Sequence, residues 1–500
     1  MAIHVSMVNK LYSLCISVFG VYSDGTLSPS AAFWDKELKG ALKSNLERLR
    51  HPFTELFETF HLTTGYKYYN DVLLICLGEP DKKYDNLELE RLGAAIYEAT
   101  AGLDTDVMVG IDSDDLHLVC DCAPPYIGFG ALLKSWKFSK YKTKKDKKNI
   151  LERLCVVTKN HEKSGEYFEE LKKIADGIFL TRQVVSEPAN VIYPKSLAKI
   201  ALDELSPLGV EVEILGADEM KKLGMNSLLA VAQGSDNEPQ LAILRWNGGH
   251  ESQNPIAFVG KGVTFDSGGI SLKPGENMHE MRYDMAGSGT VLGLMKAVAL
   301  NKLPVNIVGV MAMVENMPSG SAQRPGDVVK SMSGQTIEVM NTDAEGRMVL
   351  ADALWYTQDR FNPKIIIDLA TLTGAIVVAL GHEFAGLFSN CDELAKQIYQ
   401  SSIRTGEKVW RMPMSENFDK GINSDVADMQ NIAKSNVRGG SITAAQFLKR
   451  FINGKRWAHI DIAGVETCNN DLFICSNGAT GFGVYLLYDF LRENYAGRAN

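Results

Sequence analysis

Short apolar runs alternate with amphipathic stretches along most of the chain. Runs rich in β-branched residues predict buried strands at 256–260, 305–314, 364–370 and 457–463. Apolar positions at helical spacing predict helices at 285–300, 347–359, 392–405 and 443–451. Buried strands that alternate with helices predict an α/β fold whose mainly parallel central sheet is flanked by helices.

The first part of the chain predicts a smaller α/β domain of its own. The segment LYSLCISVF, 11–19, reads as a first strand, further strands are predicted at 72–78 and 107–111, and a helix at 87–100. A polar, amphipathic stretch at 163–185 predicts a connecting helix that ends near a proline. We therefore predict an N-terminal α/β domain over 1–160, a linking helix over 161–186 and a larger C-terminal domain over 187–500.

Composition narrows the class of protein. The 500-residue chain is 45% hydrophobic and 23% charged, which is ordinary for a soluble globular protein, and its formal charge of −9 argues against nucleic-acid or anionic-membrane binding. The basic run at 140–148 reads as a solvated loop or domain joint, with a phosphate-binding patch as the alternative. The 8 cysteines form no CxxC pair, and no apolar run reaches the length of a membrane span. A cytoplasmic location follows by default.

Charged residues follow the predicted strands where an open α/β sheet places its active site, beyond the carboxyl ends. Lys261, Asp266 and Lys273 follow the strand at 256–260, and Asp284 stands at the start of the next helix. The segment NTDAEGR, 341–347, adds Asp343, Glu345 and Arg347. Acids that converge without positive charge raise each other's pKa, so this pattern favours divalent cations. Such a set could hold two ions about 3.5–4 Å apart that generate a hydroxide near neutral pH.

Plainer interpretations stand beside this one. In an extended segment Asp343, Glu345 and Arg347 would face one way, whereas an acidic turn that opens a helix would make Asp343 its N-cap. Taken singly, each lysine could be a solvated loop residue and each aspartate a cap. His279 reads as a surface loop residue rather than a ligand. The sequence contains no phosphate loop, GxGxxG, HExxH or GxSxG pattern that would indicate another kind of catalytic site. A two-metal phosphoesterase is an alternative, but the absence of histidine ligands and the presence of a ligand-like Lys261 count against it.

Several motifs resemble, in order and spacing, the leucyl (cytosol) aminopeptidase family of dinuclear-metal exopeptidases. They are VGKGVTFDSGGISLK, MRYDMAGSGTVLG, ENMPSGSAQRPGDV, NTDAEGR and DLATLTGA, and SEPANVIYP and WAHIDIAG also look like family segments. The resemblance spans about residues 128–464 and implies a small N-terminal α/β domain, a linking helix and a larger catalytic domain, assembled as a homohexamer. It implies removal of N-terminal residues, preferably Leu or another apolar residue, from peptides by a metal-bridging hydroxide.

The resemblance also implies a role for each motif residue. It makes Lys261, Asp266, Asp284, Asp343 and Glu345 the ligands of two divalent ions, Zn²⁺ or Mn²⁺, with Mg²⁺ or Co²⁺ as alternatives. Lys273 and Arg347 take the catalytic places, with a bicarbonate held by Arg347 as general base. The substrate-binding residues would be Lys273, Met281, Asn341, Thr371, Leu372, Gly374 and Ala463.

Two departures from the family pattern bear on the cleft. Tyr283 stands where the family usually has a small residue, and the segment after Gly464 lacks the family's usual Pro-Tyr approach to the GxTG turn. These put the cleft wall and the side-chain preference in question, not the metal ligands. A catalytically inactive structural or regulatory hexamer, or a DNA-binding relative, is the alternative to an active enzyme.

Overall fold

The computed structural model describes residues 2–11, 15–48, 53–66, 71–119, 122–144, 151–468 and 474–497. The chain divides into two compact units, one formed by Met1–Ala175 with Asn470–Asn477 and the other by Asp176–Asn469 with Gly478–Asn500. The dividing point lies inside a helix, α5, at His161–Ser186. Within the described ranges, no helix combines the length and apolar character that crossing a bilayer would require.

The first unit is built on a sheet in the order β1-β8-β6-β2-β4-β3, in which β3 alone of these strands runs antiparallel to its neighbour. Its strands are β1 His4–Val8, β2 Ile16–Val21, β3 Thr59–Thr63, β4 Asp71–Cys76, β5 Lys83–Tyr84, β6 Val107–Gly110, β7 His117–Leu118 and β8 Arg153–Val157. Its helices are α1 Pro29–Glu37, α2 Ala41–Arg48, α3 Asn86–Thr100 and α4 Pro124–Ser135, with the first part of α5. Short β5 and β7 pair with each other.

The N-terminal strand prediction needs a correction. The chain already forms β1 at His4–Val8, so the apolar segment 11–19 is not the first strand. Its second half belongs to β2, which begins at Ile16, and residues 12–14 lie outside the described residues. Strand β1 pairs in parallel with β8, a long-range partner that local periodicity does not reveal. Part of the basic run, 145–148, also lies outside the described residues.

The second unit is built on a sheet in the order β17-β16-β19-β15-β11-β12-β10-β9. Its strands are β9 Glu211–Leu215, β10 Gln240–Asn247, β11 Ile256–Asp266, β12 Asn306–Asn316, β13 Val328–Lys330, β14 Thr336–Glu338, β15 Ile365–Ala370, β16 Ala385–Ser389, β17 Val409–Arg411, β18 Met429–Gln430, β19 Arg456–Asp461, β20 Thr467–Cys468 and β21 Gly478–Ala479. Its further helices are α6 Pro194–Leu205, α7 Ala217–Lys222, α8 Asn226–Ala232, α9 Ala286–Asn301, α10 Gly346–Phe361, α11 Gly374–Leu380, α12 Asp392–Thr405, α13 Glu416–Lys420, α14 Gly440–Lys449 and α15 Val484–Asn494.

The central strands β19, β15, β11 and β12 are mutually parallel, and antiparallel pairings occur toward both edges. This arrangement confirms the predicted α/β class with a mainly parallel sheet. The residues of these four central strands are almost wholly buried. Helices α9 and α10 both pack on β11. In a sheet covered by helices on both faces, the active site lies beyond the carboxyl ends of the strands.

Close backbone packing fixes where α9 begins. A Cβ atom on Gly260 of β11 would lie 2.6 Å from the carbonyl oxygen of Gly287, in the first turn of α9. Because Gly260 and Gly287 have no side chain, the first turn of α9 can pack directly against the backbone of β11. Asp284, two residues before α9, is held next to the strand by this contact.

Candidate active site

The predicted chemistry-bearing residues come together at the carboxyl ends of the second unit's central strands. Strand β11 is longer than predicted and ends at Asp266, so Lys261 lies inside the strand rather than after it. The register of β11 on β12 shifts between Val263 and Asp266, which sets Asp266 opposite Asn316. A short 3-10 helix, Met278–Tyr283, leads into Asp284.

The NTDAEGR segment is a turn that opens α10, not an extended strand. The helix begins at Gly346 with Glu345 as the residue before it, so Asp343 is not the cap. A Cβ atom at Gly346 would lie 2.8 Å from the Nζ atom of Lys261, so a larger residue there would displace that side chain. The turn, not an alternating strand, therefore brings the two acids toward Lys261.

Lys261 stands at the centre of the site and is 2% exposed. Its Nζ atom lies 2.7 Å from Asp284 Oδ1 and 2.9 Å from Glu345 Oε1, and it donates to the carbonyl oxygen of Thr371 at 2.9 Å. Burial acts to lower the pKa of Lys261, but the carboxylates of Asp284 and Glu345 outweigh it and hold the pKa above its usual range. Dications beside this amine would oppose its charge and lower that pKa, which makes the nitrogen available as a ligand.

Both carboxylate oxygens of Asp266 contact neighbouring donors. Its Oδ1 atom accepts hydrogen bonds from Gly268 N at 2.9 Å and from Asn316 Nδ2 at 2.8 Å. Its Oδ2 atom lies 2.9 Å from the Nζ atom of Lys273, which also forms an ion pair with Asp343. Burial works against the charge of Lys273, yet Asp266 and its neighbours raise the pKa of this lysine.

The carboxylates form a cluster suited to divalent cations. One oxygen each from Asp266, Asp343 and Glu345 lie within 4.8 Å of one another. Burial raises the pKa values of Asp284, Asp343 and Glu345, because these carboxylates share a water-poor space. Within the described part of the chain, Asp284 Oδ2 is buried and has no hydrogen-bond partner. A buried, unsatisfied carboxylate oxygen next to other acids fits a metal ligand, so the residues present fit divalent ions.

Arg347 lies in the first turn of α10 and is 8% exposed. Its Nη1 atom donates to the carbonyl oxygen of Asn431 at 2.7 Å, whereas its Nε atom has no partner among the described residues. Burial lowers the pKa of Arg347 to about 10, so the guanidinium keeps its charge at neutral pH. A buried cation with an unused donor can bind an anion.

The residues predicted to bind substrate surround the same strand ends. Thr371 directly follows β15, and its hydroxyl donates to Asp284 Oδ1 at 2.7 Å. Leu372 and Ala463 are half-buried, and their backbone amides both donate to Asp461 Oδ1. Gly374 is exposed at the start of α11. Asn341 accepts from Asp343 N at 2.8 Å through its side chain.

Three further residues singled out from the sequence, His279, Met281 and Tyr283, lie in the 3-10 helix that precedes Asp284. Met281 is half-buried in the 3-10 helix, and its carbonyl oxygen accepts from Asp284 N at 3.4 Å. His279 is exposed in the same helix, as expected for a surface residue. The ring of Tyr283 lies 4.4 Å from the guanidinium of its neighbour Arg282. Residues 469–473 of the divergent segment after Gly464 lie outside the described residues.

Three further residues of the site, Asn316, Asn431 and Asp461, were not predicted from the sequence. Asn316 is 1% exposed and donates to both Asp266 and the carbonyl oxygen of Thr342. Asn431 accepts from Met340 N at 2.8 Å and donates to the carbonyl oxygen of Asn341 at 2.7 Å, so it braces the NTDAEGR turn. Asn316 and Asp461 are polar residues that end buried apolar strands, and this position could have identified them as site residues. Asn431 sits in a loop without such a signal.

Comparison with known proteins agrees with this geometry. Residues 179–488 match the family described as the cytosol aminopeptidase family, catalytic domain. A probable cytosol aminopeptidase of Wolbachia pipientis wMel is 47% identical over 96% of this chain and 94% of its own length. A cytosol aminopeptidase of Rickettsia prowazekii (strain Madrid E) is 48% identical over 84% of this chain and 85% of its own length.

A solved structure, the bottromycin maturation enzyme BotP in complex with Mn, superposes with a TM-score of 0.81 at 28% sequence identity. The match covers 96% of this chain and 99% of that chain. Nothing in these relatives supports the catalytically inactive alternative, and they support a metal-dependent peptidase. The chain therefore belongs to the cytosol aminopeptidase family, and it is an aminopeptidase that depends on divalent metal ions.

Proposed function

We propose that two divalent ions per chain, Zn²⁺ or Mn²⁺, bind between Lys261, Asp266, Asp284, Asp343 and Glu345. The buried Asp284 Oδ2 atom carries the proposal, because it has no hydrogen-bond partner among the described residues. Oxygens of the nearby Asp266, Asp343 and Glu345 lie within 4.8 Å of one another. Bound there, the ions supply Lewis-acid polarisation of a carbonyl group and a hydroxide nucleophile near neutral pH. The five side chains hold that charge in a buried, preorganised position.

Lys273 and Arg347 act on the reacting peptide bond. Lys273 reaches into the site from its edge, with 21% of its side chain exposed, so its ammonium can stabilise the oxyanion that develops on the scissile carbonyl. Arg347 holds a bicarbonate through its unused Nε donor. A bicarbonate held there would supply a general base near the scissile bond, and Arg347 would keep it in place.

The free α-amino group of the substrate explains the restriction to chain ends. A neutral amine is a good nitrogen ligand in an acid-rich site, whereas an internal peptide nitrogen is not. Met281, Thr371, Leu372, Gly374 and Ala463 form the pocket for the first side chain. Their mainly apolar character favours Leu or another apolar residue, with selectivity of about 1–3 kcal/mol per methylene.

The wider organisation is also part of the proposal. Residues 1–160 form the N-terminal domain, 161–186 the linking helix and 187–500 the catalytic domain. The enzyme works in the cytoplasm as a homohexamer that takes peptides as substrates. Support for these statements comes from the family resemblance and from the names of the relatives.

The test compares substrates that differ only at the amino terminus. Release of the first residue is measured from Leu-, Met- and Arg-peptides and from N-acetylated copies, before and after chelation and after return of Mn²⁺ or Zn²⁺. The proposal expects release from free peptides alone, loss on chelation and recovery with metal. Equal cleavage of acetylated peptides, or activity that survives chelation, would refute it.

A further inference from the structure

A single buried carboxylate, Asp461, joins the parts of the chain that border the side-chain pocket. It is the last residue of β19, is fully buried, and pairs with Ala370 at the end of β15. Both strands end at this level. Thr371 to Thr373 directly follow β15, and Ala463 lies two residues after Asp461. Asp461 therefore stands behind the pocket rather than in it.

The two carboxylate oxygens of Asp461 accept hydrogen bonds from different groups. Oδ1 accepts from Leu372 N at 2.9 Å and from Ala463 N at 3.3 Å. Oδ2 accepts from the hydroxyl of Thr373 at 2.7 Å. The same Thr373 hydroxyl oxygen accepts from Ile376 N at 3.2 Å and so caps α11, the helix that begins with Gly374.

The loop between β15 and α11 is thus anchored on two sides. Thr371 is bound to the ligand set, through its carbonyl oxygen to Lys261 and through its hydroxyl to Asp284. Leu372 and Thr373 are bound to Asp461. A change at Asp461 releases the pocket side of the loop and leaves the Thr371 contacts with the ligand set in place.

We propose that Asp461 is a positioning residue that sets the enzyme's discrimination between N-terminal side chains, by holding Leu372, Ala463 and the start of α11 in one arrangement. The inference rests on the proposed pocket and names the residue that shapes it. An amide at this position does not reproduce the carboxylate, because its nitrogen would face the Thr373 hydroxyl, which would then lose the acceptor for its own proton.

A second effect of Asp461 has to be separated from positioning. Its charge also interacts with the guanidinium of Arg347, so Asp461→Asn alters the electrostatics near a proposed catalytic group as well as the loop. Thr373→Val removes the hydroxyl link and keeps the charge. Thr373→Ser keeps both and is the conservative counterpart.

The experiment measures kcat/KM for Leu-Gly and Ala-Gly dipeptides with Mn²⁺-loaded enzyme, together with metal content per chain. The ratio of the two values should fall about tenfold in Asp461→Asn, because small displacements of a pocket wall cost large factors in rate. Thr373→Val should lower the ratio in the same direction, and Thr373→Ser should keep the wild-type ratio. Metal content should be unchanged in all of them.

Asp352→Asn is the matched control. Asp352 is also fully buried in this unit and accepts from Leu228 N at 3.0 Å and Met332 N at 2.8 Å, contacts outside the pocket. It should lower the thermal midpoint and keep the Leu-to-Ala ratio. A ratio in Asp461→Asn within about twofold of wild type, or an equal shift in Asp352→Asn, would overturn the inference.

Two further outcomes are decisive. If Asp461→Asn does not fold, equal ratios in Thr373→Val and Thr373→Ser overturn the inference, and unequal ratios support it. If the wild-type enzyme releases no N-terminal residue from either dipeptide, the proposed function fails. A wild-type enzyme that cleaves both dipeptides, with ratios unaffected by substitution, rejects only the role of Asp461.

Discussion

Replacement of Asn316 by Ala tests whether the support behind a proposed metal ligand matters. The Asn316 side chain donates to Asp266 Oδ1 at 2.8 Å and to the carbonyl oxygen of Thr342 at 3.0 Å. It therefore ties the end of β11 to the NTDAEGR turn. Asn316→Ala removes both bonds and leaves Asp266 Oδ1 with Gly268 N as its remaining donor among the described residues.

The magnitude follows from the kind of bond that is lost. A hydrogen bond to a charged group contributes about 1.5–3 kcal/mol, and the bond to the Thr342 carbonyl about 0.5–1.5 kcal/mol. Only the part that orients the ligand affects metal binding. Loss of such supporting partners costs about 10–100-fold in metal affinity, which corresponds to about 1.4–2.8 kcal/mol. The first bond alone accounts for a loss of that size.

The assay is calorimetric titration of Mn²⁺ into chelator-treated enzyme, followed by activity against metal concentration. We expect weaker Mn²⁺ binding by about 10–100-fold, with most of kcat recovered at saturating metal. Asn306→Ala is the control, since Asn306 begins the same strand and donates to His250 and Gln253 carbonyl oxygens away from the site. Unchanged Mn²⁺ affinity in Asn316→Ala, or an equal loss in Asn306→Ala, would show that the Asn316 side chain does not support Asp266 as a metal ligand.

Further predictions concern single side chains. Lys273→Ala should keep its metal content and lose about 10²–10³-fold in kcat by steady-state kinetics, because the oxyanion loses its cation; unchanged turnover would remove Lys273 from the mechanism. In buffers depleted of CO₂, added bicarbonate should stimulate the wild type and an Arg360→Leu control but not Arg347→Leu; equal stimulation of Arg347→Leu would contradict the anion site. Burial raises the pKa of Glu407 from an ordinary 4.5 to about 7. The carboxyl group therefore keeps its proton to a higher pH in the folded protein than in the unfolded chain. The free energy of unfolding should fall by about 3 kcal/mol as pH rises from about 4.5 to 7. Urea unfolding of Glu407→Gln should lack this component, and an identical pH profile would contradict it.

The strands and helices of the second unit could be predicted well from sequence because they are buried and regular. The apolar runs at 364–370 and 457–463 correspond to β15 and β19, with ends within a few residues. The rule for carboxyl ends then located the acids and lysines correctly in one region. The length of β11 could not be predicted, because Lys261 and the residues after it look like a loop until their buried ion pairs are known.

The arrangement of the acidic side chains could not be predicted from sequence either, because long-range contacts determine it. Asp343 and Glu345 meet through a turn that Asn431 supports from 83 to 91 residues away, not through strand alternation. Asn316 and Asp461 acquire their roles from residues on other strands and loops. Long-range hydrogen bonds of this kind leave no periodic pattern in a single sequence.

Anomalous diffraction from Mn²⁺-soaked crystals would locate the ions without reference to activity. We expect two manganese peaks per chain, about 3.5–4 Å apart, among Asp266, Asp284, Asp343 and Glu345 with Lys261 Nζ at one of them. A single peak, or manganese bound elsewhere while these side chains keep their ion pairs, would contradict the proposed two-ion site.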